Sequence, residues 1–213
     1  MVSIGVLASG RGSNLQAIID GVGSGFIEDA KVVVVVSDKE DAYALERARK
    51  HGIEALYIEP KDYRSREEYD SKIAAELKKR KVDLVLLAGY MRVVTPKLID
   101  QFKNRIMNIH PALLPSFPGL HAQKQALDWG VKVSGCTVHF IDSEVDHGPI
   151  IIQAAAPVLE GDFEESLSKR ILEQEHRIYA QAVKWFVEGR LTVEGRRVKV
   201  KGVTQAGQGL RVL

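Results

Sequence analysis

Asn108, Ile109, His110 and Pro111 follow one another at the end of an apolar run. If that run is a strand, alternation puts Asn108 and His110 on one side, and Pro111 ends the ladder. An Asn amide donates without charge, and a His supplies a proton or a hydrogen bond near neutral pH. Together they could bind the oxyanion of a tetrahedral intermediate and handle its proton. The plainer alternative is a hydrogen-bonded histidine at a strand end. A second group, Asp142, Ser143, Glu144, Val145, Asp146, His147, Gly148 and Pro149, sets carboxylates beside an imidazole in a loop bounded by Gly and Pro. A carboxylate next to an imidazole stabilises and orients the imidazolium. The spacing fits neither the calcium loop nor the zinc helix pattern, and a solvated loop would explain the same residues.

A third candidate is the turn Ser9, Gly10, Arg11, Gly12, Ser13, Asn14. It follows an apolar strand and opens an amphipathic helix. Glycines let a backbone approach a ligand closely, and free amides at a helix start bind phosphate. The third glycine of a dinucleotide fingerprint and the Gly-Lys-Ser/Thr of a nucleotide-triphosphate loop are both missing. A phosphate site is therefore the functional reading, and a plain tight turn the structural one. Arg66 sits just inside a helix start, where the dipole disfavours a cation. Pairing with Glu67 or Asp70 would account for it without any function. Among the other histidines, His51 closes a helix, His139 reads as packed within a strand, His121 lies in a loop that could line a site, and His176 sits beside Glu175 in a long helix.

The elements that must position these groups alternate in the first half. Strands are expected over residues 2–7, 32–36, 54–58, 83–87 and 105–109, and helices from Leu15, over 41–51, 65–80 and 96–102. Ser65 with Glu68 three residues on makes a capping-box start. Alternation with unbroken apolar strands predicts an α/β fold, a Rossmann-like, mostly parallel sheet with helices on both faces. Ligands in such sheets sit at the carboxyl ends of the strands. That rule points to residues 9–14, 88–94 and 108–121. The remainder reads as a mixed C-terminal part: strands over 134–141 and 149–156, a long helix over 163–188, a hairpin over 191–200 centred on Gly195, and a Gly/Gln-rich, loosely held tail after Gly202. Trp129 and Trp185 are expected in the core. The organisation expected is one domain over residues 1–190 with a hairpin and tail over 191–213.

Bulk properties narrow the partners. The 213 residues carry 30 basic and 28 acidic side chains, a net charge of +2, which gives no electrostatic reason for a nucleic-acid or membrane partner. One cysteine, Cys136, allows neither an intrachain disulfide nor a thiolate metal cluster. It fits a reducing cytoplasm. The apolar residues 1–7 run straight into the glycine turn and read as a core strand, not a signal peptide.

Taken together, the motifs resemble a known family. The run from Asn108 to Gly119, with Pro111, Leu113, Leu114, Pro115, Pro118 and Gly119, is similar to the signature of folate-dependent formyltransferases. So are Gly135, Cys136, Thr137, Val138, His139 and Phe140, followed by Asp146, His147, Gly148 and Pro149. The opening Ser9 to Ile18 resembles the branch acting on glycinamide ribonucleotide in purine biosynthesis. That resemblance covers nearly all of residues 1–190. It implies transfer of a formyl group from 10-formyltetrahydrofolate to the amine of that ribonucleotide, with no metal and with small molecules as partners, in a monomer or homodimer. It implies Asn108, His110 and Asp146 as the catalytic trio, Gly12, Ser13 and Asn14 around the phosphate, and Glu175 on the ribonucleotide. Arg66, Met91, Arg92, Val93, Val94, Asn108, Asp142, Ser143, Glu144 and Val145 would line the folate site. The chain departs from the pattern at Ala112, where many relatives carry Ser, and at His147, which is larger than usual. Related formyltransferases acting on methionyl-tRNA carry a further barrel, and deformylases an N-terminal regulatory domain; the short chain favours the purine branch.

Overall fold

The computed structural model describes residues 1–202; the expected loose tail lies outside them. The fold divides into two compact units, Met1–Asn108 and Ile109–Leu213. The first holds five strands, β1 (Val2–Leu7), β2 (Ala30–Ser37), β3 (Glu54–Tyr57), β4 (Leu84–Leu87) and the greater part of β5 (Ile106–His110), among the described residues. Between them run α1 (Ser13–Gly23), α2 (Tyr43–Lys50), α3 (Arg66–Lys79) and the short α4 (Pro96–Ile99). The strands are parallel in the order β3-β2-β1-β4-β5. Buried runs such as Val34, Val35, Val36 in β2 and Leu84 to Leu86 in β4 account for this. A strand covered on both faces has no polar side to alternate with.

The strand order reverses between β1 and β4, which are neighbours in space though far apart in sequence. Their carboxyl ends form the crevice where α/β sheets bind ligands. Ser9 ties the two ends together: its N–H donates to the Gly89 carbonyl at 3.1 Å, and its hydroxyl accepts from the Met91 N–H at 3.0 Å.

The second unit is built differently. β6 (Val133–Phe140) and β7 (Ile150–Pro157) form an antiparallel pair, and the long α6 (Glu164–Val187) packs on both. The expected hairpin is present as β8 (Leu191–Glu194) and β9 (Arg197–Val200), and β9 meets β7 at Ile150 and Arg197. No helix among the described residues is long and apolar enough to cross a membrane.

Two local outcomes differ from the sequence reading. Trp129 is 78% exposed, not core, because it is the C-terminal cap of α5 (Ala122–Asp128), a short helix that the loop residues before it did not signal. Trp185, inside α6, is buried as expected. The capping box at α3 is shifted: Ser65 accepts from the Glu68 N–H, but the Glu68 carboxylate reaches the N–H of Arg64 rather than that of Ser65.

Gly12 is a position where only glycine fits without strain. Its φ is +69°, and a Cβ there would lie 2.8 Å from the Ala44 Cβ and 2.9 Å from the Ala44 Cα. Gly12→Ala is expected to lower unfolding stability by about 1–3 kcal/mol, from left-handed strain plus the clash. Urea unfolding checks this, and an unchanged midpoint would contradict the close approach of α2 to the turn.

Candidate active site

The site is best built from β5 and β6. β5 ends with Asn108, Ile109 and His110, so Asn108 and His110 share one face of that strand. His110 is only 4% exposed. Its Nε2 lies 2.8 Å from the Phe117 carbonyl oxygen and its Nδ1 lies 3.3 Å from Asp146 Oδ2. Both ring nitrogens therefore face acceptors. A singly protonated ring can satisfy one of them and turns a lone pair towards the other. This geometry favours the imidazolium, whereas burial favours the neutral ring. Burial is the larger influence and holds the His110 pKa below the ordinary histidine value; the Asp146 carboxylate and the Phe117 carbonyl pull it back up, and His139 pushes it down. The Asp146 carboxylate raises His110 relative to an unpaired ring, but the net position is downward because the ring is buried.

Asp146 is held from several sides. Burial pushes its carboxyl up, yet its hydrogen bonds and neighbouring imidazoles outweigh this and leave it below the usual carboxylate range. Its Oδ2 accepts from the Gly119 N–H at 2.8 Å, and its Oδ1 lies 3.7 Å from His139 Nε2. His139, fully buried on β6, has its Nδ1 2.9 Å from the Phe140 carbonyl. It was read as packed only. A histidine in a buried strand was the available signal, since such a ring needs partners at both nitrogens.

The segment after His110 is anchored by Thr137 and Gln153. The Thr137 hydroxyl donates to the Ala112 carbonyl at 2.7 Å and accepts from the Leu114 N–H at 3.1 Å. Gln153 Nε2 donates to that hydroxyl and to the Leu114 carbonyl. Gly148 closes the Asp146 loop against β6: a Cβ there would sit 1.8 Å from the Phe140 carbonyl oxygen.

Other predicted residues fall in separate groups. Gly12 caps α1, which begins at Ser13 and Asn14. The turn is braced by α2, where the Ala44 N–H donates to the Gly10 carbonyl at 3.0 Å and Arg47 Nε to the Arg11 carbonyl at 2.9 Å. Arg47 also reaches Gln16 Oε1 at 3.0 Å, binding the turn to α1. Met91 and Val93 are exposed and Val94 is buried. α3 organises this segment: the Arg92 guanidinium lies 5.0 Å over the Tyr69 ring, and the Thr95 N–H donates to buried Asp70 Oδ2 at 2.6 Å. Burial pushes the Asp70 carboxyl up despite its Thr95 bonds. Arg66 is the exposed first residue of α3. Asp142 contacts His147 rather than His110, and accepts from the Glu144 N–H; Ser143, Glu144 and Val145 are exposed. Glu175 is buried on α6. Burial first, and Glu175 second, push the Cys136 thiol well up, which keeps it in the protonated form.

Residues 2–183 match the family model described as formyl transferase. The chain belongs to the formyl transferase family. Among curated members it is 42% identical over 208 residues to phosphoribosylglycinamide formyltransferase of Escherichia coli, covering 98% of each chain. It is 49% identical over 187 residues to the trifunctional purine biosynthetic protein adenosine-3 of Drosophila melanogaster, where 87% of this chain spans only 14% of that protein. The crystal structure of glycinamide ribonucleotide transformylase 1 from Symbiobacterium toebii superposes with a TM-score of 0.92 at 58% identity, covering 94% of both chains. This formyl transferase therefore has the fold of a solved family member over most of its length.

The depressed His110 pKa makes a signed prediction. Between the ordinary value of about 6.5 and the lower folded value, the unfolded chain binds a proton that the folded chain does not. Stability must then fall as pH drops through that window. In His110→Asn this part of the slope should vanish in urea unfolding at stepped pH; equal slopes in both proteins would contradict the assignment.

Proposed function

We propose that this chain transfers a formyl group from 10-formyltetrahydrofolate to the primary amine of glycinamide ribonucleotide, a step of purine biosynthesis in the cytoplasm. The observation that carries the reading is the pairing of buried His110, two residues beyond Asn108 on the same strand, with half-buried Asp146, in a family member similar over its length to phosphoribosylglycinamide formyltransferase. Residues 1–190 would form the catalytic domain and the hairpin an appendage.

In this mechanism the amine attacks the formyl carbon, and the carbonyl oxygen becomes an oxyanion. Asn108 donates an amide N–H to it. His110, freed at Nε2 from the Phe117 carbonyl, donates as well and passes its proton to the folate nitrogen as the C–N bond breaks. The proton that the attacking amine loses is the one that charges the neutral ring before this transfer, so the ring ends neutral as it began. Asp146 offsets the cost of charging a buried imidazole. Because the ring starts largely neutral, the developing oxyanion is what draws it to the charged form. Gly12, Ser13 and Asn14 would present backbone amides to the phosphate, and Glu175 would meet the ribonucleotide. Arg66, Met91, Arg92, Val93, Val94, Asp142, Ser143, Glu144 and Val145 would line the folate. No covalent enzyme intermediate and no metal is called for.

Steady-state assay of the folate product tests the reading, with and without glycinamide ribonucleotide. Turnover dependent on the ribonucleotide is expected. Formate release without it would make the chain a deformylase instead. Asn108→Ala is expected to lose about 100- to 1000-fold in kcat while folate binding is kept; wild-type turnover would remove its role. Asp146→Asn should lower activity and move the acid limb of the pH–rate profile down, and an unchanged limb would take Asp146 out of the proton path.

A further inference from the structure

We propose that Arg196 and His147 are positioning residues that latch the loop over residues 142–148, and so Asp146, in place for the folate donor; the inference rests on the proposed formyl transfer. Arg196 lies in the turn between β8 and β9, 49 residues from the loop it touches. Its Nη2 donates to the His147 carbonyl at 2.6 Å, and its Nη1 lies 2.8 Å from His147 Nε2 and 3.1 Å from Nδ1. On the loop itself, His147 Nδ1 is 2.8 Å from Asp142 Oδ2 and 4.0 Å from Glu144 Oε1. Asp142 Oδ1 in turn accepts from the Glu144 N–H at 3.0 Å. The hairpin is thereby tied through one imidazole to both sides of Asp146.

The chemistry of the partners fixes the state of that imidazole. A guanidinium only donates, so Nε2 must present its lone pair; a carboxylate only accepts, so Nδ1 must carry the proton. One neutral tautomer meets both demands, and with it the 3.1 Å approach of Nη1 to Nδ1 is a contact without a hydrogen bond. Protonation puts an N–H on Nε2 against the guanidinium and breaks that contact, while strengthening the one to Asp142. Asp142 and Glu144 from the loop and Arg196 from the hairpin are the charged groups facing the ring. His147 itself has no part in the proposed chemistry. What it can do is keep ordered a loop whose next residue, Asp146, has a left-handed φ of 51°, a conformation non-glycine residues hold only when their surroundings impose it. A loop ordered beforehand spares the donor part of the entropy cost of binding.

Amide hydrogen exchange over residues 142–148, with steady-state kinetics, tests the latch. Arg196→Ala should speed exchange in this segment and raise KM for 10-formyltetrahydrofolate up to about fivefold, the scale of a partly exposed charged contact. Its kcat and its KM for the amine acceptor should stay near wild type. His147→Gln, whose amide can donate to Asp142 and accept from Arg196, should match wild type, whereas His147→Ala should loosen the segment as Arg196→Ala does. Wild-type exchange in Arg196→Ala would overturn the latch, and faster exchange with an unchanged donor KM would overturn its positioning role. If the wild-type protein transfers no formyl group at all, the functional reading fails, and the exchange comparison still decides whether the latch orders the loop.

Discussion

The structure around the site depends on one opposed pair of effects: His110 is buried, and Asp146 is the charge that makes its burial workable. An imidazole out of water resists protonation, and a carboxylate 3.3 Å away restores part of what burial removes. Asp146 cannot do this unless its own carboxylate stays ionised in the same enclosed place. The Gly119 N–H and His139 hold it so, which is why its carboxyl stays low although burial pushes it up. The remaining architecture of the second unit follows from that need. β6 carries His139 to one oxygen, Gly148 lets the loop close on β6, and Thr137 with Gln153 fixes the chain that leads from His110 to Gly119.

The first unit meets a different constraint, close approach of backbone at a sheet's switch point. Gly12 admits α2 to within van der Waals contact of the turn, and Arg47 then spans from that helix to Arg11 and Gln16. Asp70 plays the matching part below β4, where a buried carboxylate receives the Thr95 N–H that ends the 91–94 segment. In both places a helix fixes a loop by bonding its backbone. The loop side chains are thus left available for ligands, as Met91 and Val93 are.

Much of this was legible because periodicity and glycine placement are local signals. The parallel strands, Ser65 as the cap of α3 and the hairpin at Gly195 all follow from patterns within a few residues. The His110–Asp146 pairing was legible only through the family resemblance, since 36 positions of chain separate the two and spacing cannot state that they meet. His139, Asp70 and Arg196 were missed for one reason: each acts through partners brought close only by the fold. Trp129 was misplaced because bulk and apolarity argue for the core, whereas its position at the end of a short surface helix decided otherwise. The net direction of the His110 pKa was hidden too, because a sequence reveals the partner carboxylate and not the depth of burial.

The most direct test of the balance between burial and Asp146 is an NMR titration of the His110 ring in the ligand-free protein and in Asp146→Asn. The account predicts a midpoint below the ordinary histidine value in wild type, and a lower one still in the variant, where burial acts without its counter-charge. A midpoint that stays put or rises on removing the carboxylate would contradict it.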